Sequence, residues 1–351
     1  MNSLEDFKDE INKCSKCGLC QSVCPVYKET GNDCAVSRGK FVMLDGVLKG
    51  DLRLNKNINK YLDMCLKCGK CSNFCPSGID VCKIFETAKY QYVKNTFSGK
   101  LIFFAESKLI FNNLINLFKK KYNFKKDAPN SKKLLYFKGC AGNIFPQTAN
   151  LLNKIPNINI IEKDFECCGI PFLSSGNLER YENVKKHNLE LMNCEYDYIL
   201  TDCASCESTL KSYFNNDIPN FINLGQLIAE KDLIFKFKNH VKVTFHKPCH
   251  LDNIDFLPKI FEKCENIEYI EMEGFDDCCG FAGEFAIKNP KISEMIAKKK
   301  AENILKTNAN YVITTCPACL AGLKKALFNK KNSPKVLSLS EFLLLSEIYE
   351  K

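Results

Sequence analysis

The sequence predicts an α+β multidomain protein, in which an α-helical N-terminal module precedes two repeated α/β domains. Three observations support this. One cysteine run occurs twice within residues 14–76, five further cysteines recur in order in the second half, and strand-like apolar runs alternate there with amphipathic stretches. We expect the helical module at 1–98, an amphipathic helix and linker at 99–131, and the two α/β domains at 132–235 and 236–351.

Length and composition are those of a globular protein. Of the 351 residues, 45% are hydrophobic, and no apolar run reaches the length of a membrane-spanning helix. No secretory signal pattern is seen among the 22-cysteine chain's first residues, so we expect a cytoplasmic protein whose clustered cysteines bind metal rather than form disulfides. The net charge of +9 comes without a basic stripe interleaved with aromatics and predicts no nucleic-acid partner. Peripheral contact with the inner face of the cytoplasmic membrane stays open.

The first half of the cysteine map is a duplicated run. The segments CSKCGLCQSVCP at 14–25 and CLKCGKCSNFCP at 65–76 share the spacing C-x2-C-x2-C-x3-C-P, the ligand signature of a pair of cubane [4Fe–4S] clusters. Three thiolates of each run hold one cluster, and the fourth crosses to the other. The predicted ligand sets are Cys14, Cys17, Cys20 and Cys75 for one cubane, and Cys65, Cys68, Cys71 and Cys24 for its neighbour. A zinc site does not account for the third cysteine or the proline.

The segment between the two runs predicts helices. It contains SRGKFVMLDGVLKGDLRLNKNINKYLDMC and is longer than the spacer of a compact bacterial ferredoxin. This arrangement resembles the α-helical two-cluster ferredoxin module of respiratory iron–sulfur subunits, where a motif similar to SRGK at 37–40 is common. We expect a structural role for Arg38 in this motif.

The second half of the chain repeats internally. The aligned cysteines are Cys140, Cys167, Cys168, Cys203 and Cys206 in the first copy and Cys249, Cys278, Cys279, Cys316 and Cys319 in the second. Strand-like runs at 133–139, 196–202, 241–248 and 309–315 each lead into one of these cysteines. Alternating strands and helices predict a mainly parallel sheet, and the cysteines then lie at the carboxyl ends of its strands.

The adjacent cysteines need their own explanation. Thiolates on consecutive residues diverge, so they serve poorly as two ligands of one tetrahedral ion but can reach two irons of a larger cluster. The following glycine removes a Cβ where a cluster would approach the backbone. A pair of packing cysteines and a single zinc at one copy remain as alternatives.

The pattern C-x(26–28)-C-C-G-x(33–35)-C-x-x-C resembles the cysteine-rich CCG domain. That family includes heterodisulfide reductase subunits and the iron–sulfur subunits of glycolate oxidase, lactate oxidase and anaerobic glycerol-3-phosphate dehydrogenase. HKPCHL at 246–251 and CCGFAGEF at 278–285 are similar to the family's second copy. The resemblance implies one or two further [4Fe–4S] clusters of the noncubane type, each held by the five cysteines of a copy, with zinc at one copy still open.

Several other residues carry weaker expectations. Four cysteines outside these sets are expected to be buried small hydrophobes rather than ligands: Cys34, Cys82, Cys194 and Cys264. His246 and His250 flank Cys249, and we expect a hydrogen-bonding role there, with a proton relay as the alternative. Residues 101–121 predict an amphipathic helix that docks onto a domain or partner, or contacts a membrane.

The expected function is electron transfer. No G-x-G-x-x-G fingerprint follows a strand, so no nucleotide or flavin site is visible. The resemblance implies a subunit of an oxidoreductase complex, in which an FAD-containing dehydrogenase oxidises glycolate or lactate and electrons pass to a quinone or another membrane acceptor. Two alternatives remain: a heterodisulfide-reductase-like subunit that reduces a disulfide at a noncubane cluster, and a zinc-binding structural protein.

Overall fold

The computed structural model describes residues 3–106, 122–124, 131–142, 146–214 and 218–350. The chain forms two compact units. The first unit comprises Met1–Ile110, Pro171–Glu182 and Asp277–Lys300, and the second comprises Phe111–Ile170, Asn183–Asp276 and Ala301–Lys351. The domain boundaries expected near residues 98, 131 and 235 stay predictions.

The N-terminal part of the first unit is helical. Its helices are α1 Lys8–Asn12, α2 Leu19–Val23, α3 Pro25–Thr30, α4 Ser37–Leu48, α5 Lys56–Asp63, α6 Lys70–Asn73, α7 Val81–Val93 and α8 Phe97–Ala105, with 3-10 turns at Leu4–Phe7 and Asp33–Ala35. Local signals start several of them. Pro25 occupies the first turn of α3, and the Asn55 side chain accepts hydrogen bonds from the first backbone N–H groups of α5. Helices α4 and α5 confirm the helical prediction for the segment between the cysteine runs.

Apolar faces of these helices share one core. Phe41 and Leu44 of α4, Leu62 of α5 and Ile84 and Phe85 of α7 are fully buried together. The Phe41 and Phe85 rings lie 5.4 Å apart, centroid to centroid. Cys14, Cys65, Cys71 and Cys75 pack against this core, so it supports the loops that carry the cysteines.

The second unit contains two sheets with the same strand order. Strands β1 Lys132–Phe137, β2 Ile158–Glu162, β3 Tyr198–Thr201 and β4 Phe221–Asn223 are all parallel, in the order β2-β1-β3-β4. Strands β5 Leu233–Phe245, β6 Cys264–Tyr269, β7 Tyr311–Thr314 and β8 Lys335–Ser338 follow the order β6-β5-β7-β8. A last strand, β9 Glu347–Glu350, pairs antiparallel with β5 and has no counterpart in the first sheet. The parallel α/β prediction is confirmed in this coarse form.

Helices connect the strands of both sheets. They are α9 Gly139–Gly142, α10 Gln147–Leu152, α11 Ile170–Ser175, α12 Leu178–Met192, α13 Ala204–Lys211, α14 Leu224–Glu230, α15 Phe256–Phe261, α16 Glu284–Lys288, α17 Pro290–Lys306, α18 Pro317–Leu327 and α19 Leu339–Leu343. One continuous core joins the two sheets of the second unit, and it includes Tyr136, Leu200, Phe235, Phe245 and Phe342. The same core therefore supports the ends of four strands, which are β1, β3, β5 and β7.

Two expectations need comment. The four cysteines outside the ligand sets are half-buried, not buried as expected, since each keeps part of its surface accessible to solvent. Of the predicted amphipathic helix at 101–121, the structure describes only the part within α8, and residues 107–121 lie outside the described ranges. In the described parts of the chain, no helix combines the length and apolar character needed to span a membrane.

Candidate metal centres

The first unit brings Cys24 together with the second cysteine run. Burial, reinforced by the nearby thiols of Cys65 and Cys24, raises the pKa of Cys68 to about 11. Burial and the Cys65 thiol raise the pKa of Cys71 to about 12. Each thiol therefore lies within electrostatic reach of the others. This grouping is expected if Cys24, the fourth cysteine of the first run, binds the cluster held by the second run.

The complementary set meets at one pocket. Cys14, Cys17, Cys20 and Cys75 all line it, and Cys71 contributes to its wall. All four are free thiols. The loops that present them turn through left-handed backbone at Lys16 and, in the second run, at Lys67. The duplicated spacing therefore produces the same turn twice.

The SRGK motif supplies hydrogen bonds to both thiol sets. The Ser37 hydroxyl hydrogen-bonds Cys71, and the backbone N–H of Arg38 donates to the Cys20 sulfur. The Arg38 guanidinium binds Asp33 at 2.9 Å. The Arg38 side chain therefore stabilises the turn that contains Asp33, while its backbone N–H donates to the Cys20 sulfur. Donors of this kind stabilise thiolate ligands and tune a bound metal.

The rest of the motif fixes the start of helix α4. A Cβ on Gly39 would lie 2.0 Å from the Asp33 carbonyl oxygen, so no other residue fits there. Lys40 is buried and donates to the Met64 carbonyl at 2.9 Å. The positively polarised N-terminus of this helix thus lies beside thiols of both sets.

The adjacent cysteines of the second copy belong to the first unit. Cys278 is buried in an apolar cluster with Val26, Leu66 and Phe285, and both Cys24 and Cys68 pack against that cluster. Packing gives a further reason for the glycine after the pair. Gly280 adopts φ 79°, and a Cβ there would meet the Ser293 carbonyl oxygen at 2.6 Å. Tight backbone packing already demands glycine at this position.

The first copy assembles its five thiols in the second unit, at the carboxyl ends of three strands. Cys140 lies in α9 after β1, the Cys167–Cys168 pair follows β2, and Cys203 and Cys206 follow β3. These strands are parallel neighbours, so their ends meet at one edge of the sheet. The sheet therefore brings together cysteines that are up to 66 residues apart in the sequence.

These five thiols form a hydrogen-bonded chain. Cys140 bonds Cys167, Cys167 bonds Cys168, Cys168 bonds Cys206, and Cys206 bonds Cys203. Hydrogen bonds from Cys167 and Cys206 hold the pKa of Cys168 well below its usual range. Cys167 and Cys206 keep their protons, and their pKa values are raised. The set is compact enough for one polynuclear centre.

Two residues that sequence reasoning missed hold the adjacent pair. Asn188 is fully buried; it accepts from the Glu166 N–H at 3.0 Å and donates to the Cys167 carbonyl at 3.1 Å. The Tyr213 hydroxyl donates to the Cys168 carbonyl at 2.7 Å. In the sequence, Asn188 stands out only as a polar residue on the side of helix α12 that faces the core.

The second copy divides between the units. Cys249, Cys316 and Cys319 lie in the second unit, whereas Cys278 and Cys279 lie in the first. Within the second unit, Cys316 hydrogen-bonds Cys203 of the first copy. Hydrogen bonds from Cys203 and Cys319 hold the pKa of Cys316 well below its usual range. The thiols of the two C-x-x-C loops are therefore in direct contact.

A small pocket of about 40 Å³ adjoins these loops. Thr201 and Thr314, which end β3 and β7, both line it, as do Asp202 and Glu207. Burial raises the pKa of Asp202, whose carboxylate accepts from the Tyr136 hydroxyl at 3.1 Å. This volume has room for a few waters but not for an organic substrate.

The donor sets fit iron–sulfur clusters. Every candidate ligand is a cysteine, none of the 22 cysteines, all of which lie in the described residues, forms a disulfide, and backbone N–H groups of Arg38, Gly169 and Ile170 point at candidate sulfurs. Soft thiolates with N–H donors are the usual surroundings of such clusters. Five contiguous thiols also exceed the four that a tetrahedral zinc site uses. These features define an iron–sulfur protein.

Family comparisons agree with this class. The 4Fe-4S dicluster domain matches residues 10–79, and the cysteine-rich (CCG) domain matches residues 134–211 and 243–324. The chain therefore contains a 4Fe-4S dicluster domain and two matches to the cysteine-rich (CCG) domain, and the resemblance expected from the sequence is confirmed.

Three relatives show how the chain compares with named proteins. One of the subunits of fumarate reductase (CoM/CoB) from Methanothermobacter marburgensis is 28% identical, over 97% of this chain and 73% of the relative. The probable glycolate oxidase iron-sulfur subunit of Bacillus subtilis is 22% identical, over 95% and 94%. One of the subunits of dihydromethanophenazine:CoB–CoM heterodisulfide reductase from Methanosarcina acetivorans is 24% identical, over 93% and 90%. These similarities support electron transfer within an oxidoreductase complex and imply partner subunits.

Proposed function

We propose that the chain is the electron-transfer iron–sulfur subunit of a respiratory flavin-dependent 2-hydroxyacid dehydrogenase complex, of the glycolate or lactate oxidase type. An FAD-containing partner would oxidise the hydroxy acid, and electrons would leave to a quinone pool. The likeness to the probable glycolate oxidase iron-sulfur subunit, which spans nearly the full length of both chains, supports this assignment.

The proposed ligands are the eighteen cysteines of the four sets. Two cubanes would be held by Cys14, Cys17, Cys20 and Cys75, and by Cys65, Cys68, Cys71 and Cys24. Two noncubane centres would be held by Cys140, Cys167, Cys168, Cys203 and Cys206, and by Cys249, Cys278, Cys279, Cys316 and Cys319. Bound clusters supply one-electron redox chemistry, while the chain sets their order, burial and hydrogen bonding.

One observation carries the proposal of a relay. Cys278 of the second CCG copy is buried in the same apolar cluster against which Cys24 and Cys68 of one cubane set pack. A protein that used its CCG copies only for structure would have no need to bring them to a cubane. Val26, Leu66 and Phe285 around these thiols exclude water, which favours transfer over side reactions with solvent.

Anaerobic purification of the whole chain with its co-purifying subunits tests this proposal. We expect iron and acid-labile sulfide beyond the content of two [4Fe–4S] clusters, a flavoprotein companion, and bleaching of cluster absorbance by glycolate or lactate. A variant with Cys24 and Cys75 both changed to serine is the control for the cubane contribution. A preparation that holds clusters but no flavoprotein, and that neither hydroxy acid bleaches, would refute the dehydrogenase assignment.

A second candidate is a heterodisulfide-reductase-like subunit that reduces a disulfide. The contiguous chain of five thiols from Cys140 to Cys203 and the presence of all five cysteines in both copies favour it. Dithionite-reduced protein should then be reoxidised by CoB–CoM heterodisulfide or cystine, followed as recovery of cluster absorbance. Zinc without iron in the purified protein would instead favour a structural metal protein and count against both redox candidates.

A further inference from the structure

The two C-x-x-C loops of the second unit lie against each other but are not equivalent. Cys203-Ala-Ser-Cys206 opens helix α13, and Cys316-Pro-Ala-Cys319 opens helix α18. The Ala204 N–H donates to the Thr315 carbonyl at 3.0 Å. The matching position in the second loop is Pro317, which has no N–H and cannot return this bond. The first loop therefore donates and the second accepts.

The next position repeats this asymmetry in a side chain. The Ser205 hydroxyl lies 3.6 Å from the Cys316 sulfur and 2.9 Å from Nδ1 of His250. The residue that matches Ser205 in the second loop is Ala318, which has no hydroxyl to offer Cys203. One hydroxyl thus reaches across from the first copy to a candidate ligand of the second, without a reciprocal bond.

The chemistry of a metal-bound thiolate sets the direction of these bonds. A coordinated Cys316 sulfur carries no proton, so it can only accept, and Ser205 must be the donor. The serine oxygen would then accept a hydrogen bond from Nδ1–H of His250. The thiol–thiol bond between Cys203 and Cys316 has no proton left once both sulfurs are ligands, whereas the Ser205 bond persists.

We propose that Ser205, positioned by His250, raises the reduction potential of the cluster held by Cys316. A hydrogen bond to a ligand sulfur stabilises the more negative, reduced state. The step is the uptake of one electron with no proton transferred. This inference rests on the proposed function, because it concerns the proposed centre of the second copy, whose Cys278 packs in the apolar cluster shared with Cys24 and Cys68.

The test measures potentials rather than activity. Wild type, Ser205→Ala and Ser205→Thr are purified anaerobically as whole chains, assayed for iron and sulfide, and titrated while the cluster signals are followed by electron paramagnetic resonance. We expect Ser205→Ala to make reduction of one cluster about tenfold less favourable, a shift of about 59 mV to lower potential for a one-electron couple. Ser205→Thr keeps the hydroxyl and should restore the wild-type value. Ser208→Ala, which removes an exposed hydroxyl from the same helix, is the matched control and should shift nothing.

The outcomes separate this inference from the proposed function. Full iron content with an unchanged potential in Ser205→Ala would overturn the tuning role and leave the relay intact. Loss of iron in Ser205→Ala would show that the serine holds the site together, and would also overturn tuning. A wild-type chain with iron for the two cubanes alone would refute the CCG clusters, and the inference with them.

Discussion

The two thiol-rich regions of this protein reach the same kind of ligand set by different routes. In the helical region of the first unit, two short runs each present three thiols from a single turn, and helix α4 adds donors from its N-terminus. In the second unit, five thiols come from the ends of three parallel strands. Local spacing builds the first arrangement, whereas the second depends on correct pairing of the whole sheet.

The largest effect is expected from substituting the fourth cysteine of each run, which is predicted to bind the cluster held by the other run. Cys24→Ser should remove the same cluster signal as Cys68→Ser, because the structure groups Cys24 with Cys65, Cys68 and Cys71. Cys75→Ser should remove the same signal as Cys17→Ser. Iron content and electron paramagnetic resonance spectra of the four purified variants give the comparison.

The matched variant in the sheet is Cys167→Ser. It should leave both cubane signals in place, because its thiol belongs to a set built by other elements in the second unit. If Cys24→Ser instead matched Cys17→Ser, the runs would each hold a cluster alone and the crossing would be wrong.

Loading with iron should depend on pH in both thiol-rich regions. Burial raises the pKa values of Cys68 and Cys71 to about 11 and about 12, so both thiols stay protonated near neutral pH and must lose their protons to bind metal. Affinity should therefore rise with pH, by up to about tenfold per pH unit for each proton released. In the sheet, hydrogen bonds hold the pKa of Cys168 low, but the pKa values of Cys167 and Cys206 are raised, so this set should release protons as well.

Proton release on adding ferrous iron to the chelator-treated whole chain measures this dependence. A Cys167→Ser/Cys168→Ser variant, which lacks the sheet set, should release fewer protons and keep the part of the pH dependence that Cys68 and Cys71 contribute. The raised pKa values of Cys68 and Cys71 also predict that the folded apoprotein loses stability as the pH rises from about 9 towards 12, where its neutral thiols ionise. Complete loss of the pH dependence in the double variant would contradict a contribution from the helical region.

Much of this architecture could be predicted from sequence because its signals are periodic. The duplicated run, the offsets between the copies, and the apolar segments that end in cysteines predicted a helical cluster-binding module and parallel sheets. What the sequence could not show depends on contacts between distant residues. No sequence spacing links Asn188 to the Cys167 carbonyl, Ser37 to the Cys71 sulfur or Ser205 to the Cys316 sulfur.

One expectation was wrong and one strand was not foreseen, for a related reason. The partial burial of Cys34, Cys82, Cys194 and Cys264 reflects which side of each element faces the core, and residue type alone does not encode that. Strand β9 pairs antiparallel with β5 at the end of the chain, where the repeat has no counterpart to predict it. A sequence repeat predicts the features that the two copies share, whereas the structure is needed to find the features in which they differ.

Disruption of a buried ion network in the first unit should destabilise that unit and leave the stability of the second unit unchanged. Lys89 is 3% exposed and lies 2.7 Å from both Asp63 and Glu284, while Lys288 also binds Asp63 at 3.0 Å. Lys89→Met leaves two carboxylates with one cation and should cost about 3–5 kcal/mol of folding free energy. All four residues belong to the first unit, so hydrogen exchange should rise there and stay unchanged in the sheets.

Lys49→Met is the matched control for that variant. Lys49 pairs with Asp45 at 2.8 Å on the open surface of helix α4, where solvent screens the interaction. We expect no measurable change in its melting temperature. Equal destabilisation by both substitutions would show that burial of the Lys89 network contributes nothing.

The smallest expected effect concerns the support of the adjacent cysteines in the sheet. Asn188→Ala removes the acceptor for the Glu166 N–H and the donor to the Cys167 carbonyl, and should cost about 1–3 kcal/mol because these buried groups lose their partners. Iron bound by the first CCG copy should fall, while both cubane signals persist. Lys186→Ala, an exposed change on the same helix, should alter neither stability nor iron content. If Asn188→Ala depleted the cubanes as strongly as the sheet centre, the two regions would not load independently, and the contrast between local and sheet-built sites would lose its functional meaning.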